Sequence, residues 1–303
     1  MVLSMHYPLR PHIDLCDGWE FVRRRMPGGW LVRKGNADPG VILPHCWNAQ
    51  DAFQKGVSYY RGWGSYRRTF SLDGDGPSTN GRWVLCSEGF FGRADVRVDG
   101  RRIWHGDGQY LGFETPIPDG LPNGREHVLA VRIENRHHID ALPGIRDPDF
   151  LLYGGLSGRM RLTWRPELHL RGKDARVSYA KTGGGAWIVS ASIGVANDAG
   201  VPARVRATWR LDGPRGATVI EDDAPPCDLA PRSIAVLQPV TLRLDRPQIW
   251  DIDSPALYTL TCDLREHDGT PVDRAVWRIG LREAEFRPRQ GFFLNGRRLE
   301  LRG

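Results

Sequence analysis

The densest set of groups able to do chemistry lies between Glu134 and Gly158. His137, His138, Asp140, Arg146, Asp147 and Asp149 fall together in that stretch. Imidazole and carboxylate both ligate divalent ions, and a carboxylate can also accept two hydroxyl hydrogen bonds at once. Neither an i, i+4 histidine pair nor another established ligand spacing is present, so a solvated polar loop is the plainer reading. No metal and no cofactor is expected, although an ion held only by carbonyls would leave no trace in a sequence. No strand reads through this stretch, which is broken by Pro143, Pro148 and several glycines. A structureless connection of that length inside a compact domain is usually functional or mobile. Loops carried on a rigid scaffold hold function more often than the sheets beneath them.

The elements that would position these groups read as strands. Helical periodicity is nearly absent and alternation is widespread. Ala94–Val98 alternates, Asp99-Gly100 supplies the turn, and Arg101–Trp104 returns, which predicts a hairpin. Leu129, Val131 and Ile133 share one face, and Met160, Leu162 and Trp164 another. Further strands are expected over Gly18–Val22, Trp30–Val32, Gly64–Phe70 and Trp83–Cys86. After Arg165-Pro166 a second set begins, with Trp187–Val195, Val205–Leu211, Val240–Leu244, Tyr258–Leu264 and Arg274–Ile279. Gly183–Gly185 and Asp212–Pro214 read as turns, and Ala224-Pro225-Pro226 as a loop. About seven short strands in about 100 residues is the immunoglobulin-like pattern; the longer first set suits a jelly roll. Near the end, Asn295-Gly296 sits between Phe292–Leu294 and Arg297–Leu299 and predicts one more tight hairpin.

The chain has 303 residues, long enough for two domains. Its 40% hydrophobic and 26% charged residues suit a folded globular protein. The five cysteines, Cys16, Cys46, Cys86, Cys227 and Cys262, form no C-x-x-C pair and read as reduced packing residues. No segment reaches the roughly 18 apolar residues of a membrane span, and no secretory signal opens the sequence. A cytoplasmic address follows as the expectation. The net charge of +6 comes mostly from dispersed arginines, without a basic tract interleaved with aromatics, so no nucleic-acid partner is expected. Eleven tryptophans raise the possibility of sugar stacking. Trp104 and Trp209, on regular strands, are expected in the core, and Trp47 is expected to pack against a sandwich.

Several motifs in the same order resemble glycoside hydrolase family 2, the family of beta-galactosidases, beta-glucuronidases and beta-mannosidases. They are Leu43-Pro44-His45-Cys46-Trp47-Asn48, Tyr60–Phe70, Glu88–Phe90 with Val96–Gly100, Tyr110–Glu114, Pro247–Trp250 with Pro255–Leu260, Arg278–Arg282, and Phe293–Gly303. The resemblance implies an all-β chain: a jelly-roll sugar-binding-like domain over 1–172 and an immunoglobulin-like β-sandwich over 173–282. It also implies that 283–303 is the start of a truncated (β/α)8 barrel. One departure falls at Gly154–Met160, where Ser157-Gly158-Arg159 replaces the family's Tyr-Arg-Asp and puts the usual local packing and ion pairing in question.

The implied activity is that of a retaining exo-glycosidase, which needs two carboxyls about 5–5.5 Å apart. In the family both are barrel glutamates, so none is assigned here: the expectation is a non-catalytic portion that buttresses the barrel and lines part of the sugar pocket. By position, Asp149 matches the aspartate that reaches the sugar in beta-galactosidase-like relatives. It is the single candidate substrate-binding residue, set against the plainer reading of a solvated loop acid. A carbohydrate partner and, through paired sandwich faces, a homo-oligomer are further expectations. The alternatives are a free-standing carbohydrate-binding module and a purely structural or adhesive β-sandwich protein.

Overall fold

The structure, a computed structural model, describes residues 2–23, 38–72, 80–108, 110–136, 138 and 150–302. The described chain is all-β apart from two short 3-10 turns, and divides into two compact units. One comprises Pro11–Arg165; the other comprises Pro166–Gly303 together with Met1–Arg10.

The Pro11–Arg165 unit is a jelly-roll sandwich of a six-stranded and a four-stranded sheet. In the six-stranded sheet, Glu126–Glu134 lies between Trp63–Ser71 and Arg93–Val98. Val96, Leu129, Val131 and Ile133 alternate inward from it and are fully buried. The opposite sheet contributes Leu85, Met160 and Leu162 to the same core, whose largest members include Trp19, Tyr66 and Phe90. The predicted hairpin runs Arg93–Val98 to Arg101–Asp107, with Asp99 at φ 47° and Gly100 at φ 82°, the two positive angles a type I′ turn requires. The expected strand Trp30–Val32 lies outside the described residues. The stretch before Gly158 does hold one short strand, Gly155–Leu156, paired with His45–Cys46. Two residues are too few for alternation to show.

The Pro166–Gly303 unit is an immunoglobulin-like sandwich. Trp187–Asn197 is the centre of one sheet, and Tyr258–Glu266 of the other. Between them Trp209 and Trp277 stack with centroids 5.6 Å apart, amid Val189, Val195, Leu242 and Leu260. The described division falls at 165/166, and Leu168–Lys181 runs as one strand through the sequence-based boundary at 172.

Two further features depart from expectation. Ala224–Pro226 is not a loop but part of the strand Thr218–Leu229. That strand is the sheet's edge, and its pairing shifts register opposite Val205/Ala207, which is where a sheet tolerates proline. The other is Val2–His6, assigned by sequence to the first domain, which pairs with Pro271–Ile279 of the immunoglobulin-like unit. The attachment is locked by Arg10. Its guanidinium donates to both carboxylate oxygens of buried Asp273, at 2.6–3.2 Å, and to the Leu170 carbonyl at 2.7 Å. Asp273 also accepts the Leu170 and Arg274 amides, so each lone pair of a desolvated charge is used.

After the sandwich, Ala284–Arg287, Gly291–Leu294 and Arg297–Leu299 form a separate three-stranded meander. The Asn295-Gly296 turn adopts φ 50° and 81° as its sequence requires. Asn295 donates to the Trp250 carbonyl and to Asp251 (both 3.0 Å), and Arg297 pairs with Asp251 and Asp253.

Candidate functional site

Asp149, with His137, Asp140, Arg146 and Asp147, lies outside the described residues. The residues on either side of that segment are described, and they converge on one buried polar knot in the jelly-roll unit. Its members are Asn48 and Asn135, 0% and 2% exposed.

The Asn48 amide donates to the carbonyls of Tyr60 (3.2 Å) and Leu152 (3.1 Å), while its oxygen accepts the Gly154 amide at 3.0 Å. Asn135 donates to the same two carbonyls, at 3.3 and 3.0 Å, and its oxygen accepts the Gly62 amide at 2.8 Å. Asn135 stands just past the strand Glu126–Glu134, and Leu152 three residues after Asp149. The two amides thus tie the strand that leads into the 136–149 segment to the chain that leaves it. Side-chain amides suit the task because each both donates and accepts, so it can replace absent strand pairing without burying a charge.

Trp47 explains why three sequence motifs belong together. A Cβ on Gly64 would lie 2.2 Å from the Trp47 ring, and one on Gly154 would lie 2.1 Å from it. The indole therefore fills the space that two glycines from distant segments leave free, and Trp47 is buried as expected. Trp209 is also buried, while Trp104 is only half-buried and stacks on Phe113 at 4.3 Å.

Beside the knot, Asp51 accepts the Tyr60 amide at 3.0 Å and pairs with Arg23 at 2.8 Å; Arg23 also reaches the Trp47 carbonyl. His45 Nδ1 lies 2.7 Å from the buried Tyr66 hydroxyl, and burial lowers the His45 pKa despite the opposing charge of Asp38. Burial also raises the Tyr59 pKa, and its hydroxyl has no hydrogen-bond partner among the described residues. His138 sits 3.5 Å from Glu134, which Arg136 also engages. Among the described residues no group of three or more His, Cys, Asp or Glu could hold a metal ion.

The departure at Ser157-Gly158-Arg159 has its own packing. A Cβ on Gly158 would come 2.6 Å from the Gly89 amide, so a larger residue would displace backbone. Arg159 pairs with Asp14 at 2.6 Å. The Cys16 amide chiefly, with Arg159, holds the Asp14 pKa down at about 2.

This geometry ties distant parts of the chain together, and comparison with known proteins gives it context. The sequence profile of glycosyl hydrolases family 2 matches residues 168–282. A beta-glucuronidase of Bacteroides fragilis is 30% identical over 312 aligned positions, covering 99% of this chain and 42% of that protein. The chain belongs to glycosyl hydrolases family 2. A beta-galactosidase of Bacteroides ovatus is 25% identical over 86% of this family 2 chain and 30% of its own length. The solved beta-glucuronidase of Parabacteroides merdae superposes with a TM-score of 0.80 at 26% identity, over 97% of this chain and 39% of that one. The chain thus spans well under half the length of these relatives.

Asn48 lies within a family motif that by itself assigns it no task, and Asn135 lies outside every motif. The signal was present for Asn48, an amide directly after the motif tryptophan. For Asn135 there was none, since its partners come from residues 60, 62 and 152.

Proposed function

We propose that this family 2 chain is the non-catalytic front portion of a retaining exo-glycosidase. In this reading the jelly-roll unit presents Asp149 to the sugar, and the immunoglobulin-like unit and the meander buttress a catalytic barrel. The observation that carries the reading is the double amide clamp on the Leu152 carbonyl. A glycosidase needs its substrate-binding groups preorganised, and the clamp fixes the chain three residues from Asp149 without using a charge. The relatives named above act, by their names, on β-glucuronides and β-galactosides, so these two classes are the proposed substrates. The five free thiols suit a reducing compartment and support a cytoplasmic address as part of the same proposal.

The test compares the full-length protein with its Asp149→Asn variant on nitrophenyl β-glucuronide and β-galactoside. Loss of hydrogen bonds to an ionised group predicts a fall in kcat/KM of about tenfold to a hundredfold on the preferred substrate, with an unchanged unfolding temperature. An unchanged kcat/KM would remove Asp149 from the site. The chain 1–303 alone should hydrolyse neither substrate; turnover by it would overturn the non-catalytic reading. Millimolar binding of free sugar by that chain would favour a free-standing carbohydrate-binding module.

A further inference from the structure

Three aromatic rings form an exposed corner on the jelly-roll unit. Tyr110 and Tyr153 are 51% and 40% exposed. Phe91 lies between them, its centroid 5.0 Å from that of Tyr110 and 5.7 Å from that of Tyr153. The ring planes meet Phe91 at 77° and 43°, so the faces line a corner rather than a flat wall.

The backbone beneath is tightly held. The Phe91 amide donates to the Gly155 carbonyl at 2.9 Å, and the Tyr110 amide to the Phe90 carbonyl at 3.0 Å. A Cβ on Gly112 would come 1.9 Å from the Ser87 carbonyl oxygen. Tyr110 itself sits at φ 78°. For a bulky L-residue that conformation is strained, and glycine would adopt it freely. A ring that is half exposed returns little of that cost through burial. The chain therefore keeps an aromatic where the fold would favour glycine, and strain of this kind is characteristic of functional sites.

We propose that Phe91, Tyr110 and Tyr153 form a stacking site for one pyranose ring of a soluble oligosaccharide. The apolar C–H face of a sugar packs on aromatic faces, and tyrosine hydroxyls at the rim both donate to and accept from sugar hydroxyls. A corner of tilted rings fits a single twisted glycan chain and does not match the flat face of a crystalline polysaccharide. Tyr153 lies between Leu152 and Gly154, both held by Asn48, so the stacking ring is anchored by the clamp that flanks the Asp149 segment. The inference rests on the carbohydrate reading above and extends it to the units beyond the terminal sugar.

The test is calorimetric titration of the full-length protein with cellotetraose and galactotetraose, with Tyr110→Gly and Tyr153→Ala variants beside it. Tyr110→Gly removes the ring and relieves the backbone, so it should unfold at the same or a higher temperature while binding the preferred tetrasaccharide about tenfold more weakly. Tyr153→Ala should lose a similar factor, and Tyr153→Phe, which keeps the ring, about threefold. Equal Kd values for wild type and Tyr110→Gly would overturn the inference. So would a change of oligomeric state in Tyr110→Gly without a change in sugar affinity, which would assign the corner to a protein contact. A wild-type protein that hydrolyses nitrophenyl glycosides but binds neither tetrasaccharide would sink this inference and leave the proposed function standing. One that hydrolyses none, yet loses tetrasaccharide binding in Tyr110→Gly, would do the reverse.

Discussion

Each unit contains a buried polar knot that ties distant segments together, and these two knots are built from opposite chemistry. The jelly-roll knot is neutral: Asn48 and Asn135 divide the Tyr60 and Leu152 carbonyls between them. The immunoglobulin-like knot is ionic: Arg10 and Asp273, side chains 4% and 0% exposed, hold the first strand to the sheet. A neutral amide is cheaply desolvated, and losing one leaves a few dipoles unpaired. A buried ion pair is costly to desolvate, and losing half of it strands a charge. The neutral knot can therefore hold a segment to a scaffold and tolerate local adjustment. The ionic knot works as an all-or-none attachment.

The largest effect should come from splitting the ionic knot. Arg10→Ala leaves Asp273 buried and unpaired and should destabilise the protein by about 3–5 kcal/mol in urea unfolding. The double change Arg10→Met with Asp273→Leu should recover most of that loss, because hydrophobic replacement of a buried pair is often neutral or stabilising. If the double variant is as unstable as the single one, the ionic character was not the source of the cost and the contrast fails.

Asn48→Ala comes next. It strands the Gly154 amide while Asn135 still serves the Leu152 carbonyl, so about 1–3 kcal/mol is expected by the same measurement. A loss as large as that of Arg10→Ala would show that the two knots do not differ in kind.

The smallest effect is a pH dependence of the jelly-roll unit. Burial keeps the folded His45 pKa below its ordinary value of 6.5, so the unfolded chain binds a proton there more readily. Its contribution to stability is present above pH 6.5 and is lost as the pH falls through and below that value. His45→Gln should flatten the slope of unfolding temperature between pH 7.5 and 5.5, values chosen about one unit either side of that pKa. A slope unchanged in the variant would remove His45 as its source.

Much of the architecture was legible where signals were local. Asp99-Gly100 and Asn295-Gly296 predicted their turns because the required positive φ angles select those residues. Alternation at Leu129, Val131 and Ile133 identified a core face because one side of that strand is buried. Pro225-Pro226 misled because a proline pair reads as a loop unless the strand is known to be an edge. Val2–His6 reads by position as part of the first domain, because its partner lies more than two hundred residues further along the sequence. The family motifs were visible as strings, but Trp47 wedged against Gly64 and Gly154 is a three-body fact that no single string contains. Of the candidate site, Asp149 was legible by resemblance alone, and the amides that hold the chain beside it were not.

The place of the first strand bears on synthesis. Val2–His6 emerges from the ribosome long before its pairing partner Pro271–Ile279. The jelly roll can close while translation continues, whereas the first strand has no sheet edge to join until Pro271–Ile279 has been made. A bulky fusion before Val2, or a short deletion there, would then be felt not in the jelly roll it adjoins but in the immunoglobulin-like sandwich.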